Sequence, residues 1–128
     1  MNRSEIETIV KEVVDSSYRV HSTLGPGMLE NSYEICLRYE LSTRNLKSER
    51  QVKMPINYRG VVLEEGYRID LFVEQEVVVE VKAIDRLLPV HKAQLLSYLK
   101  MADKKIGLLM NFNVPRLNGN IKRVVNGL

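Results

Sequence analysis

The sequence predicts an α/β fold, with a mixed central β-sheet flanked by helices and the element order ααβββαβ plus a short terminal strand. Three observations support it: two segments of helical periodicity open the chain, three runs rich in β-branched and aromatic residues follow, and another helical segment separates these from two final strand-length runs. In chain order, the predicted elements are helices 4–21 and about 27–43, strands 51–58, 67–73 and 77–83, a helix over about 90–102, and strands 106–112 and 121–125.

The first helix is predicted from apolar residues that recur at helical spacing. They are Ile6, Ile9, Val10, Val13, Val14 and Val20. Ser4 is the predicted N-cap, and Glu7 three residues later would complete a capping box. The Leu-Gly-Pro-Gly run over 24–27 breaks this helix, so a second helix is expected from near Gly27 to about Thr43.

The remaining elements follow from turn residues and apolar runs. Pro55 lies inside the first strand and indicates an edge position, because proline cannot donate to a ladder. The run 58–61 contains Gly60 and resembles a turn into the next strand. The third helix has Leu95, Leu96 and Leu99 as its core face. If the strands on either side of that helix are parallel, their connection should be right-handed.

Length and composition set the class of protein. With 128 residues, the chain is expected to form a single domain over 1–128. Its 45% hydrophobic and 27% charged residues are typical of a globular protein and argue against disorder. The lone Cys36 cannot form an internal disulfide and is expected in the core, which fits a cytoplasmic protein. No apolar run approaches the ~20 residues of a membrane span, and the acidic N-terminal segment does not fit a signal peptide. A net charge of +3 is compatible with a nucleic-acid partner.

Charged residues interrupt a hairpin that is otherwise apolar. Valines at 77, 78, 79 and 81 would face both sides of the second strand, as in a strand covered on both faces. Glu80 and Lys82 share one face of this strand because side chains alternate. An isolated buried charge is costly unless it is paired or binds a metal. The hairpin therefore needs a compensating partner.

The length of the turn decides which residue faces Glu80. A three-residue turn over 74–76 places Asp70 directly opposite, with Cβ atoms roughly 5 Å apart. A two-residue turn would place Ile69 there and send Asp70 to the other face. We predict the three-residue turn, although it also brings Arg68 near Lys82, a like-charge contact that diverging strands would relieve.

Two facing carboxylates are the basis for a predicted metal site. A divalent cation keeps both ionised at neutral pH, and oxygen ligands favour Mg²⁺, or Mn²⁺ as an alternative. Asp70 and Glu80 would be ligands, with the Val81 carbonyl within reach. The alternative is a salt bridge from Lys82 to either carboxylate on a half-exposed sheet.

Three motifs in this chain resemble those of known nucleases. Asp70, followed after nine residues by Glu80-Val81-Lys82, resembles the core signature of the PD-(D/E)XK nuclease superfamily, although Ile69 stands where many members have proline. Gly27-Met-Leu-Glu30-Asn-Ser-Tyr33 resembles the motif of the small GxxExxY family. Gln94-Leu-Leu-Ser-Tyr98 resembles the QxxxY helix motif of RecB-like nucleases. The resemblance covers nearly the whole chain and implies a restriction-endonuclease-like core.

The resemblance also implies site residues and an activity. Asp70, Glu80 and a helical Glu, here Glu30, would hold Mg²⁺, while Lys82 would orient or activate the attacking water. This chemistry is metal-assisted phosphodiester hydrolysis, in which the metal polarises a phosphoryl oxygen and lowers the pKa of bound water. The predicted function is a Mg²⁺-dependent nuclease acting on DNA or RNA.

The third helix carries a polar stripe at i, i+3, i+7 spacing, formed by His91, Gln94 and Tyr98. Solvent exposure is the ordinary interpretation of such a stripe. The resemblance implies instead that Gln94 and Tyr98 line the site as hydrogen-bond donors. His91 has no counterpart in the motif and is expected to face solvent.

Several other residues have two interpretations. Glu30 lies in the first turn of its helix, where the helix dipole alone favours a carboxylate, and Tyr33 on the same face is either core or a site neighbour. His21 fits a cation at a helix C-terminus, or a metal or leaving-group role. The basic residues after the second helix form either a solvated loop or a rim that contacts phosphates. They are Arg44, Lys47, Arg50 and Lys53.

Two other functional classes compete with the nuclease hypothesis. The chain could be a non-catalytic module of nuclease fold that binds nucleic acid or a partner protein, or the charged hairpin could be a structural ion-pair network. A homodimer is compatible with so small a unit, although no residue pattern indicates one.

Overall fold

A computed structural model describes residues 1–127, which form three helices and five strands. The elements are α1 (Arg3–Leu24), α2 (Glu30–Thr43), β1 (Ser48–Tyr58), β2 (Val61–Val73), β3 (Val77–Lys82), α3 (Pro89–Ala102), β4 (Ile106–Asn111) and β5 (Ile121–Val125). Their order and type confirm the predicted sequence of elements.

The strands form one mixed sheet in the order β1-β2-β3-β4-β5. β3 and β4 pair in parallel and are joined through α3, whereas the other neighbours are antiparallel. The helices α1 and α2 pack on one face of the sheet and α3 packs on the other. Strand β1 is at the edge, and Pro55 lies where the β1–β2 register shifts, so the predicted edge position is confirmed.

Strand β3 is buried between the two helical layers, as its valines predict. Val77, Val79 and Val81 pack with α1 and α2, whereas Val78 packs with α3. All four are at most 1% exposed. This burial on both faces explains why a charged residue within β3 must find a partner or a bound ion.

The start of α1 differs from the prediction. Asn2 is the N-cap: its Oδ1 accepts a hydrogen bond from the Glu5 amide at 2.8 Å, and the Glu5 carboxylate accepts one from the Asn2 amide at 3.2 Å. The predicted cap with Ser4 and Glu7 is therefore wrong, because the Asn-x-x-Glu pair already satisfies the first backbone donors. Glu7 instead pairs with Arg123 on β5.

The β1–β2 hairpin is longer than predicted. β1 begins at Ser48 rather than 51, and β2 begins at Val61 rather than 67. The turn at Arg59 and Gly60 is confirmed, and both residues have positive φ, as in a type I′ turn. Residues 57–65 are exposed, so this outer part of the hairpin has no buried face. Its sequence therefore lacks the apolar pattern from which a strand is predicted. No helix within residues 1–127 is long and apolar enough to cross a membrane.

Candidate active site

The β2–β3 hairpin has the predicted register, and its ladder ends at the two carboxylates. Residues 74–76 form the turn, and Val73 faces Val77. The paired positions continue to Leu71 and Val79, so the next position on each strand is Asp70 and Glu80. This register confirms the three-residue turn.

The ladder between β2 and β3 stops just before this carboxylate pair. Asp70 Oδ2 accepts a hydrogen bond from the Val81 amide at 2.9 Å, so a side chain takes the place of the next backbone acceptor. Beyond this point, β2 continues its pairing with β1, while β3 continues with β4. The strands therefore separate, which removes Arg68 and Lys82 from direct ladder pairing. The site opens where the two strands separate.

Glu80 is the most unusual titratable group of the site. The residue is 6% exposed, and its Oε1 atom is buried with no hydrogen-bond partner among the described residues. Burial raises the pKa of Glu80 to about 10, and the negative charge of Asp70 beside it acts in the same direction. The charge of Lys82 opposes this shift without cancelling it. In the metal-free protein, Glu80 is therefore protonated at neutral pH.

Glu30 lies in the first turn of α2, and charges of the site act on it. Burial raises its pKa, the charge of Lys82 opposes this effect, and the charge of Asp70 adds to it. Glu30 is therefore electrostatically coupled to Lys82 and Asp70. However, within residues 1–127 no three His, Cys, Asp or Glu side chains are close enough together to hold a metal ion. The role of Glu30 as a third ligand stays a prediction.

On the opposite side of the sheet, α3 contributes Tyr98. Burial raises the pKa of its phenol, and the charges of Glu80 and Asp70 raise it further, so Tyr98 lies close to these carboxylates. Tyr67 stacks on Tyr98 with ring centroids 4.1 Å apart and donates a hydrogen bond to the Tyr98 carbonyl at 3.0 Å. Gln94 is exposed and makes no side-chain hydrogen bond to another described residue. The structure thus brings Tyr98 to the site but leaves Gln94 in solvent.

Tyr33 is a core residue that braces the turn before Glu30. Its hydroxyl donates to the Gly25 carbonyl at 2.6 Å and accepts from the Met28 amide at 3.1 Å. Its ring is fully buried and stacks on Phe112 with centroids 4.5 Å apart. This geometry gives the last residue of the Gly-x-x-Glu-x-x-Tyr motif a physical role, which is to fix the start of α2.

The two histidines have structural contacts. His21 is buried, and its Nε2 donates to the Val114 carbonyl at 2.8 Å, which ties the end of α1 to the chain after β4. His91 is half-buried rather than facing solvent, and its Nδ1 accepts from the Leu88 amide at 2.9 Å. That contact satisfies one of the free donors at the start of α3.

The basic residues after α2 are mostly neutralised within the protein. Three of the four form ion pairs with carboxylates; these are Arg44 with Glu12 and Asp15, Arg50 with Glu34, and Lys53 with Glu65. Two of the four belong to strand β1 rather than to a loop. Paired arginines and lysines are poor candidates for a phosphate-contacting rim.

Sequence reasoning missed Asn111 at the end of β4. This buried residue faces Lys82 in the parallel ladder. Its Oδ1 accepts from the amides of Ile84 and Asn113 at 3.0 and 3.2 Å, and its Nδ2 donates to the Ile84 carbonyl at 2.9 Å. The Asn111 side chain therefore fixes the segment that follows Lys82 in the chain. The only sequence signal was an amide within the apolar run 106–112.

Replacing Asn111 by Ala should lower the free energy of unfolding by about 2–3 kcal/mol, because backbone groups of Ile84 lose their buried partners. Urea unfolding of the wild type and the variant measures this difference. Asn118→Ala, at an exposed position, is the control and should stay within about 0.5 kcal/mol. If the Asn111 variant is as stable as this control, Asn111 does not hold the segment after Lys82.

The fold and site together define a nuclease-like domain: an Asp and a Glu-x-Lys meet where two strands of a mixed sheet separate. A family model for the PD-(D/E)XK nuclease superfamily matches residues 7–124, so the chain belongs to this superfamily. Its members generally use divalent metals.

A solved structure supports the same fold. The crystal structure of the protein SSO0001 is similar to this chain with a TM-score of 0.58 and 25% sequence identity. The match covers 98% of this chain and 62% of SSO0001, so this chain spans less than two thirds of that protein. A comparison with curated proteins found no match.

Proposed function

We propose that this protein is a Mg²⁺-dependent nuclease that hydrolyses phosphodiester bonds of DNA or RNA. The observation that carries the proposal is the buried Glu80 Oε1, which has no partner among the described residues and lies beside the Asp70 carboxylate. Two adjacent buried carboxyl groups do not both ionise without a compensating cation, so the pair suits a bound divalent metal.

The donor groups fit a hard divalent cation. Asp70, Glu80, Glu30 and the Val81 carbonyl would hold it, and their oxygen atoms suit Mg²⁺ or Mn²⁺. When bound, the cation would polarise a phosphoryl oxygen and lower the pKa of a bound water.

The chain's own residues would complete the site. Lys82, on the same strand face as Glu80, would orient the attacking water and stabilise the negative charge that develops on the phosphate. An ordinary tyrosine phenol is protonated at neutral pH, and the pKa of Tyr98 is raised further by burial and the nearby carboxylates, so its hydroxyl can donate a hydrogen bond to a phosphate oxygen. Gln94 is exposed on the same helix and could donate to a substrate that reaches over α3.

We also propose a family and a subgroup within the superfamily for this chain. The motifs at 27–33 and 94–98 favour the GxxExxY family and the RecB-like QxxxY subgroup, with 1–128 as one nuclease-like domain. The single cysteine favours a cytoplasmic location. Light scattering in solution would determine whether the protein is a monomer or a homodimer.

A second candidate is a non-catalytic module of the same fold that binds nucleic acid or a partner protein. Two observations favour it: no ready-formed group of three metal ligands exists within residues 1–127, and much of the basic segment after α2 is ion-paired. This module would bind nucleic acid in a salt-sensitive manner that is indifferent to Mg²⁺. Salt-independent binding would favour a protein partner.

The test of the nuclease proposal combines metal binding and cleavage. Calorimetry with Mg²⁺ and Mn²⁺ should detect binding to the wild type and none to the double variant Asp70→Asn/Glu80→Gln. Cleavage of labelled DNA and RNA should be lost in the same variant, because both ligand carboxylates are gone. Asp85→Asn/Glu64→Gln, at two exposed carboxylates, is the matched control and should behave as wild type. Cleavage that survives in the first double variant would refute the proposal.

A further inference from the structure

Strand β1 is irregular at the residue that lies beside Asp70. The β1–β2 ladder pairs Arg50 with Leu71 and Val52 with Ile69, and it skips the position between them, where Gln51 would face Asp70. Gln51 has a φ of 54°, in the left-handed region that residues with a side chain rarely adopt. Strained backbone of this kind persists only where surrounding contacts impose it.

The irregularity changes which face of the sheet each residue occupies. In a regular strand, residues two apart share a face. Here Leu71 packs with α1 and α2, whereas Ile69 packs with α3. Asp70 lies at this change of face, and its carboxylate points to the gap toward β3, where it accepts from the Val81 amide. The left-handed backbone of Gln51 and the change of face at Asp70 thus lie at the same position of the β1–β2 ladder.

The side chain of Gln51 is held by a buried carboxylate. Its Nε2 donates to Glu34 Oε1 at 2.8 Å, and the Arg50 guanidinium lies 3.3 Å from the same oxygen. Glu34 is 2% exposed and lies one turn after Glu30 on α2, so both project from one side of the helix. The Gln51–Glu34 hydrogen bond and the neighbouring Arg50–Glu34 ion pair therefore join the helix that carries Glu30 to the irregular strand beside Asp70.

We propose that Gln51, held by Glu34, is a positioning residue that fixes the Asp70 carboxylate relative to Glu30 and Glu80 and thereby sets the affinity for the divalent cation. Gln51 itself touches neither the metal nor the substrate in this scheme. The inference rests on the proposed function for its metal-binding consequence, but the positioning of Asp70 can be measured without metal.

The test uses Gln51→Gly. Glycine adopts positive φ without strain, so this variant removes the amide while keeping the backbone conformation accessible. The dissociation constant for Mn²⁺ should rise about tenfold or more, as for other residues that orient ligands. Exchange of the Val81 amide hydrogen in the metal-free protein should accelerate about tenfold, because the Asp70 acceptor is no longer held in place.

Two further variants make the test specific. Arg59→Gly is the matched control: Arg59 also has positive φ but lies in the exposed hairpin turn, so neither quantity should change. Gln51→Asn tolerates the left-handed conformation yet is one methylene too short to reach Glu34, so it should reproduce the glycine result if Gln51→Gly fails to fold.

The outcomes separate this inference from the proposed function. Unchanged Mn²⁺ affinity and unchanged Val81 exchange in a folded Gln51 variant would overturn the inference. Weaker Mn²⁺ binding with unchanged Val81 exchange would also overturn it, since the effect would not act through Asp70. A wild type that binds no metal, with faster Val81 exchange in Gln51→Gly, would refute the nuclease proposal and leave the positioning role supported.

Discussion

Between about pH 5 and about pH 9, the free energy of unfolding of the metal-free protein should fall by on the order of a few kcal/mol, and Glu80→Gln should remove most of that fall. The cause is the pKa of Glu80, which burial and the neighbouring Asp70 raise from 4.5 to about 10. Across this range, the folded protein keeps a proton on Glu80 that the unfolded chain has released.

The sign follows from this difference in bound protons. Because the folded state binds more protons, raising the pH favours unfolding, by up to about 1.4 kcal/mol per pH unit for one group. The stabilisation from Glu80 is complete below its unfolded pKa and is lost as the pH rises through the folded value. Glutamine is a neutral isostere of protonated glutamate and does not titrate. The free energy of unfolding of the Glu80→Gln variant should therefore stay nearly constant as the pH rises.

Urea unfolding at three or more pH values measures the free energy of unfolding of the wild type and of Glu80→Gln. The variant should become more stable relative to the wild type as the pH rises. Glu64→Gln, at an exposed carboxylate on β2, is the control and should follow the wild-type curve. Wild-type and Glu80→Gln curves that run parallel would contradict the raised pKa. Saturating Mn²⁺ should stabilise the wild type most at high pH, where Glu80 is more easily ionised for binding.

The central part of the fold was predictable because it depends on short-range patterns. Four nearby valines define β3 as a buried strand, and a three-residue turn then sets the register that makes Asp70 and Glu80 the next position on each strand. Both conclusions need only residue spacing and the alternation of side chains. The strand separation beyond this pair was foreseen only as a way to relieve the contact of Arg68 with Lys82.

Other features were unpredictable because they depend on tertiary contacts. The left-handed backbone of Gln51 and its bond to Glu34 join residues 17 positions apart. Asn111 likewise bonds across 27 positions to Ile84. The cap of α1 was missed for a different reason: Asn2 and Ser4 both precede a Glu by three residues, and the sequence alone does not decide between two equally good caps.

Lys82→Ala should lower the cleavage rate about a hundredfold to a thousandfold at saturating Mn²⁺, the loss typical of removing one group that stabilises charge in the transition state. Lys82 is half-buried at the end of β3, and its charge lowers the pKa of both Glu30 and Glu80. Its loss would make these carboxylates harder to ionise, but it would also remove a positive charge that repels the metal. These two effects on Mn²⁺ affinity oppose each other.

The variant should therefore separate catalysis from metal binding. Single-turnover cleavage measures the rate, and calorimetry measures the dissociation constant for Mn²⁺, which should change far less than the rate. Lys92→Ala, at an exposed position on α3, is the matched control for loss of one positive charge and should cut at the wild-type rate. If Lys82→Ala also cuts at the wild-type rate, Lys82 only offsets the negative charge of the carboxylates in the hairpin and takes no part in catalysis. Activation of water would then have to come from the carboxylates and the metal alone.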